Sequence, residues 1–322
     1  MAGYSISLHI RKNIILIITF YLSFNNAFMM PMRAVRIFHQ KFAHRTNSAE
    51  YNQTLQTLQT NTILHPKLSN PRNLPIRSNI FTEAIKINSI LALAGITFKQ
   101  PFLTDNGLIT SWLLGILLWT TLGLQGWSIC AIYFIFGSIV TKIGFKYKEK
   151  LNIAEPRQGR RGMENVLGSA TVAALCCLLS AIYYKSASIF NIGYVASLAT
   201  KLSDTFASEI GKVFGKNTYS ITTFKPVSPG TEGAVSLEGT LAGIAGSFLL
   251  TIYAIKINFV NINALLPCTI AAFTATNIES IIGSTLQKSK GALSVASSFI
   301  LTNEVVNFIN TFIGAVIAIL LY

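Results

Sequence analysis

From residue 80 onward the chain is a series of apolar runs, each bounded by charged or polar residues, and that pattern limits the fold more than any other feature. A helix needs about 20 apolar residues to cross a bilayer. Runs at 84 to 98, 107 to 123, 126 to 144, 165 to 184, 187 to 202, 234 to 255, 259 to 283 and 305 to 322 qualify as candidate spans. Several are short or broken by glycine, so six to eight crossings are expected. Of the 322 residues, 51% are hydrophobic and only 12% charged, which is the composition of a membrane protein rather than a soluble domain. The expected fold class is all-α, a polytopic integral membrane protein whose membrane domain occupies residues 80 to 322.

Charge is placed unevenly. The loop "KIGFKYKEKLNIAEPRQGRRG" carries seven basic residues, Lys142, Lys146, Lys148, Lys150, Arg157, Arg160 and Arg161, against Glu149 and Glu155. Such a loop stays on the less translocated side of the membrane. Two crossings return the chain to that side near "SDTFASEIGKVFGK", and two more return it near "STLQKSKG". The three hydrophilic stretches are therefore expected on one face. The formal charge of +14 is explained by membrane orientation and targeting, and no nucleic-acid surface is implied. Cys130, Cys176, Cys177 and Cys268 lie in apolar runs without C-x-x-C spacing and read as small packing residues.

The first 77 residues carry nine Lys/Arg and a single acid, Glu50. Arg11 and Lys12 precede "NIILIITFYLSF", which has the length of a signal-peptide core, so residues 1 to 27 read as a signal peptide. Residues 28 to 77 are basic and rich in Ser, Thr and Asn, which is transit-peptide chemistry. A signal peptide followed by a transit peptide beginning at Phe28 resembles the bipartite leaders of algae with complex plastids. A signal anchor with a polar tail is the alternative.

Two stretches carry the candidate chemistry. In "SDTFASEIGKVFGK", Asp204 and Glu209 are acids retained next to apolar helices, where charge is costly and is by default functional. Five positions separate them by about 140° on an ideal helix, so a shared ion requires a bend. An ordinary surface ion-pair set of Glu209 with Lys212 and Lys216 is the structural alternative. In "KPVSPGTEGAVSLEG", Lys225, Gly230, Thr231, Gly233 and Ser236 precede a new apolar helix. Glycines permit close approach of backbone N–H groups, and helix N-termini favour anions. A phosphate cradle is reasonable there, although no Walker pattern is present and a plain Pro/Gly turn reads equally well. Arg160 and Arg161 can grip phosphate or merely anchor the next span. Asn165, Asn303, Asn307 and Asn310 form a further polar set that suits either a headgroup pocket or interhelical packing.

The order "SDTFASEIGKV", "PVSPGTEGAVSLEGTLAG", "ESIIGSTLQ", "NEVVNFINT", separated by apolar helices, resembles the integral membrane family that contains transmembrane protein 19 and plant phytyl-phosphate kinase. The resemblance spans residues 85 to 322, with Phe206 standing where Trp is expected. It implies an enzyme of the plastid envelope, with the inner envelope as the expected membrane, that converts phytyl phosphate to phytyl diphosphate for tocopherol and prenyl-lipid synthesis. CTP is the implied phosphoryl donor. Phosphoryl transfer to a lipid phosphate brings two anions together and needs their charge neutralised. On that basis Asp204 and Glu209 are expected to hold Mg2+, with Glu232 or Glu279 as further ligands. Lys225, Arg160, Arg161 and the Gly230 to Gly233 turn are expected at the nucleotide phosphates. A cytidylyltransferase making a CDP-lipid and a membrane transporter are the alternatives.

Overall fold

A computed structural model describes residues 75–98, 102–286 and 302–322. The expected signal peptide, residues 28–74 of the expected transit peptide and the lysines of "QKSKG" lie outside the described residues, and α1 begins within the last three residues of the expected transit peptide. The elements are α1 (Pro75–Thr97), α2 (Asp105–Lys142), α3 (Phe145–Lys150), α4 (Met163–Ile182), α5 (Ala187–Phe214), β1 (Thr218–Ser220), β2 (Ala234–Ser236), α6 (Leu237–Lys256), α7 (Leu265–Leu286) and α8 (Asn303–Leu321). The protein is an all-α polytopic membrane protein. One small antiparallel pair, β1 with β2, is added in a connecting loop. Six helical segments, Asn79–Thr97, Asp105–Lys142, Met163–Ile182, Leu237–Lys256, Ile262–Thr285 and Asn303–Leu321, are long and apolar enough to span a bilayer.

The α2 segment is two crossings. Straight, its 38 residues would reach about 57 Å, nearly twice the thickness of a hydrocarbon core of about 30 Å. Gly123 breaks it with φ 66° and ψ −166°, a conformation open essentially to glycine alone. The chain reverses there. Gly107 and Gly137 would lie about 45 Å apart on a straight helix, yet a β-carbon on either would meet Arg161. The apolar runs 107 to 123 and 126 to 144 are thus the two arms of a hairpin.

Contacts between the ends of the helices set their directions. On one face, Thr104 and Phe102 exchange backbone hydrogen bonds with Arg161, Gly168 abuts the backbone of Glu304, and Gly233 abuts Ser280 and Ser284. On the other, Gln125 donates to the carbonyl of Ile257 and Tyr194 to that of Gly126. The basic loop and the acidic and glycine-rich motifs consequently share one face, as charge placement predicted, and α8 begins there too.

The α5 helix corrects an expectation. The apolar run was expected to end at residue 202, with the acidic motif beyond it, but the helix continues to Phe214. It is also the central element, packed against α2, α4, α6, α7 and α8, and every residue from Ile192 to Thr205 is buried. Its small residues, including Ala196, Ser197, Ala199, Thr200 and Ser203, let neighbouring backbones close in. The tightest approach is to α6. A β-carbon on Gly239 would lie 2.5 Å from the Ala207 carbonyl, and one on Gly246 would lie 3.0 Å from the Phe206 ring. The charges of "SDTFASEIGK" are therefore carried inside the helix bundle.

Candidate functional site

Helical spacing puts Lys201 and Asp204 on one side of α5, and they form an ion pair at 2.5 Å. The same ammonium donates to Asn307 Oδ1 of α8 at 2.7 Å. Glu279 of α7 is close enough to act on both Asp204 and Lys201, and Glu232, from the turn before β2, is close enough to act on Glu279. Tyr133 of α2 lies near Lys201. Behind it, Arg161 donates to the Tyr133 hydroxyl at 2.9 Å and lies over the Tyr133 and Phe134 rings. Lys201 and Asp204 are each only 9% exposed. Asp204 and Glu279 thus both lie near the Lys201 ammonium at the motif-face end of the bundle, with Glu232 next to Glu279.

A second network lies farther along α5. Glu209, 2% exposed, is paired with the fully buried Lys148 of α3 and, at 3.2 Å, with Lys212. Lys212 reaches Glu155 at 3.5 Å, and Lys148 also donates to the Thr141 carbonyl at 2.9 Å. This network fastens the basic loop to α5. Asp204 and Glu209 accordingly do not share one ion, since the rotation between them gives each its own partners. Glu209 is neutralised by two lysines and is not available as a metal ligand. Nor are Glu209 and Lys212 a solvated surface pair, because the basic loop covers them.

The remaining expected site residues divide. Arg160 and Lys225 are exposed on the motif face. Arg161 is committed to Tyr133 and to backbone pairing with the segment before α2, so it braces the fold. Gly230 adopts φ 83° and packs on Ile153 of the basic loop. Thr231 turns its hydroxyl inward to the Ser228 carbonyl, and Gly233 rests on α7. Ser236 is buried and caps α6 by accepting from the Gly239 N–H at 3.1 Å. Asn165 caps α4, accepting from the Gly162 N–H at 3.0 Å and from Arg157 at 2.8 Å. These hydroxyl and amide groups are used by the fold, so the turn is not an open phosphate cradle of the expected kind. Asn303 is exposed at the start of α8, and Asn307 faces the ionic cluster. Asn310, one turn deeper and 1% exposed, has no hydrogen-bond partner for its side-chain oxygen or nitrogen.

Magnesium is commonly held by one or two carboxylates together with substrate phosphates rather than by a full protein cage. Asp204 and Glu279 offer that donor set, with Glu232 nearby. Among the described residues no group of three or more His, Cys, Asp or Glu side chains is gathered closely enough to hold a metal ion by itself. Lys201, Tyr133 and Lys148 are the members that sequence reasoning missed. Lys201 did carry a signal, being a charge within an apolar run three residues before an acid. Tyr133 and Lys148 depend on partners distant in sequence and carried none.

The family described as integral membrane protein DUF92 matches residues 88–315. The chain is 50% identical over 239 residues to an uncharacterized membrane protein of Synechocystis sp., covering 74% of this chain and 89% of that protein. It is 38% identical over 247 residues to the protein VTE6, chloroplastic, of Arabidopsis thaliana, covering 76% and 72%. An uncharacterized membrane protein of Methanocaldococcus jannaschii is 32% identical over 238 residues, covering 74% and 93%. No solved structure matches.

Proposed function

The chain belongs to the DUF92 family of integral membrane proteins, and on that premise we propose that it is a phytyl-phosphate kinase of a plastid membrane, using CTP as donor. The observation that carries the proposal is the buried cluster of Lys201, Asp204, Glu279 and Asn307, set where lipid-facing helices meet the polar loops. A lipid phosphate presents its charge at that depth while its tail stays among apolar helix faces. Similarity to a chloroplast protein of a plant and the basic leader support the location.

In the proposed reaction an ionised oxygen of the lipid phosphate attacks the γ-phosphorus of the nucleotide. The bond to the β-phosphate oxygen breaks, and the nucleoside diphosphate leaves with the electron pair. The nucleophile is already ionised, so no general base is required. Asp204 and Glu279 would hold Mg2+, with Glu232 as a further ligand. Bound there, the ion supplies neutralisation of the facing phosphates. Arg160 and Lys225 reach for the nucleotide phosphates from the motif face. Asn307 holds Lys201 in register with the acids, and the closely packed α5 and α6 keep water from the cluster.

The test is an assay of purified protein with CTP, Mg2+ and phytyl phosphate that follows CDP and pyrophosphate separately. CDP with phytyl diphosphate is the expected result. Pyrophosphate with a CDP-lipid would replace the kinase by a cytidylyltransferase, and neither product would leave transport as the role.

A further inference from the structure

We infer that Lys201 is a catalytic residue with two positions: paired with Asp204 as seen here, and swung onto the phosphoryl group in transfer when a divalent cation occupies Asp204 and Glu279. The inference rests on the kinase reading above and adds to it a residue that holds no metal.

Three observations carry it. The first is the geometry of the ammonium. Of its three N–H donors, one goes to Asp204 at 2.5 Å and one to Asn307 at 2.7 Å. The Asn307 bond comes from a different helix and survives if the Asp204 bond is exchanged, so it can serve as the pivot. Lysine suits such a swing, because its compact charge sits on a flexible four-carbon stem. The second is charge. Asp204 and Glu279 both act on the Lys201 ammonium, whose ion pair is made with Asp204. A divalent cation matches the facing Asp204 and Glu279 by itself, and Lys201 is then surplus beside an incoming anion.

The third observation is Asn310. It lies on the same face of α8 as Asn307, one turn deeper and 1% exposed, and both polar atoms of its side chain are unpartnered. A polar group left without a partner inside a bilayer is costly. Its amide N–H lacks an acceptor one turn below the Asn307 that holds Lys201, and a phosphoryl oxygen is an acceptor of the kind it lacks. In the transfer step charge spreads over the equatorial oxygens of the migrating group. Lys201 and Asn310 would donate hydrogen bonds to them, while the oxygen–phosphorus bonds form and break as described above.

A purely structural role for Lys201, as a tie between α5 and α8, forecasts full turnover in Lys201→Arg and no change in the reactivity of Lys201 when Mg2+ binds. Manganese binding to the full-length protein in nanodiscs, followed by electron paramagnetic resonance without nucleotide or lipid, tests whether Lys201 competes for Asp204. Lys201→Gln removes a charge that competes for Asp204, so Mn2+ should bind about tenfold tighter or more, while turnover falls about 10²- to 10³-fold. Lys201→Arg keeps the charge and the tie, so it should leave Mn2+ affinity near wild type while turnover still drops. Unchanged or weakened Mn2+ binding in Lys201→Gln overturns the inference. Should that variant not fold, amine-specific labelling of the wild-type protein decides: Mg2+ should increase modification of Lys201, and no increase overturns the exchange. If the wild type makes no phytyl diphosphate yet the Mn2+ pattern holds, the kinase reading fails and the exchange stands. If it makes phytyl diphosphate and the Mn2+ pattern is absent, the exchange alone fails.

Discussion

Removing either partner of the Lys148 and Glu209 pair should destabilise the protein, but unequally. Lys148 is completely buried and Glu209 is 2% exposed, so neither loss is compensated by water. In Glu209→Gln the ammonium of Lys148 is left enclosed with only the Thr141 carbonyl and a neutral amide. Stranding a buried charge in this way costs about 3 to 5 kcal/mol. In Lys148→Met the carboxylate of Glu209 keeps Lys212 at 3.2 Å, and the loss should approach that of one charged hydrogen bond, about 1.5 to 3 kcal/mol. Replacing both by apolar residues, Lys148→Met with Glu209→Leu, removes the desolvation cost with the attraction and should recover most of the stability. Equilibrium unfolding in mixed micelles, followed by circular dichroism, measures all three. Because Glu209 belongs to the bracing network, Glu209→Gln should keep its turnover per folded molecule within a few-fold. Two outcomes refute the reasoning: a costlier Lys148→Met, or a Glu209→Gln protein that is stable but inactive.

Other outcomes follow from the same geometry. Asp204→Asn should fold and lose about 10²- to 10³-fold in phytyl-phosphate kinase turnover, whereas Lys216→Gln, on the exposed end of the motif, should retain most activity; equal retention in both would displace the site from α5. Gly123→Ala forces a β-carbon into φ 66° where no neighbouring atom stands within 4 Å, so the loss should be backbone strain alone, about 1 to 3 kcal/mol, read by the same unfolding measurement. Single cysteines at Lys146, Asn217 and Thr285, in a protein lacking its four native cysteines, should be labelled from one side of the membrane and a cysteine at Tyr184 from the other. Mixed labelling of the first three would break the shared motif face.

Hydropathy made most of the bundle legible, including the interruption at Gly123 that separates two spans in one long helix. It failed at α5, because apolarity ends at Leu202 while the helix continues on ion pairs formed with its own and neighbouring residues. The acids are legible as costly charges next to spans, and the resemblance points to Glu279 and Glu232 alongside Asp204. What each charge does depends on partners far away in the chain. Glu209 meets Lys148 across 61 positions and Arg161 meets Tyr133 across 28, and no local pattern encodes either meeting. Ser236 and Asn165 were legible as polar residues at helix starts, and capping is the commoner use of such residues there. Phe206 fits against Gly246 of α6, which gives the aromatic position a packing role.

The pairing within α5 also bears on how the chain enters the membrane during synthesis. A segment crossing the translocon is sampled against lipid before its later neighbours exist, and each unmatched charge at its centre adds about 2.5 to 3.5 kcal/mol to that partition. The α5 segment carries Lys201, Asp204, Glu209 and Lys212, yet Lys201 pairs with Asp204 and Glu209 with Lys212, each at i,i+3. As soon as the helix forms, these four charges cancel locally without help from α7 or α8. The element that becomes the centre of the bundle thus brings its own counter-ions through insertion. Glu279 and Asn307 join the Lys201–Asp204 pair when the later helices α7 and α8 arrive.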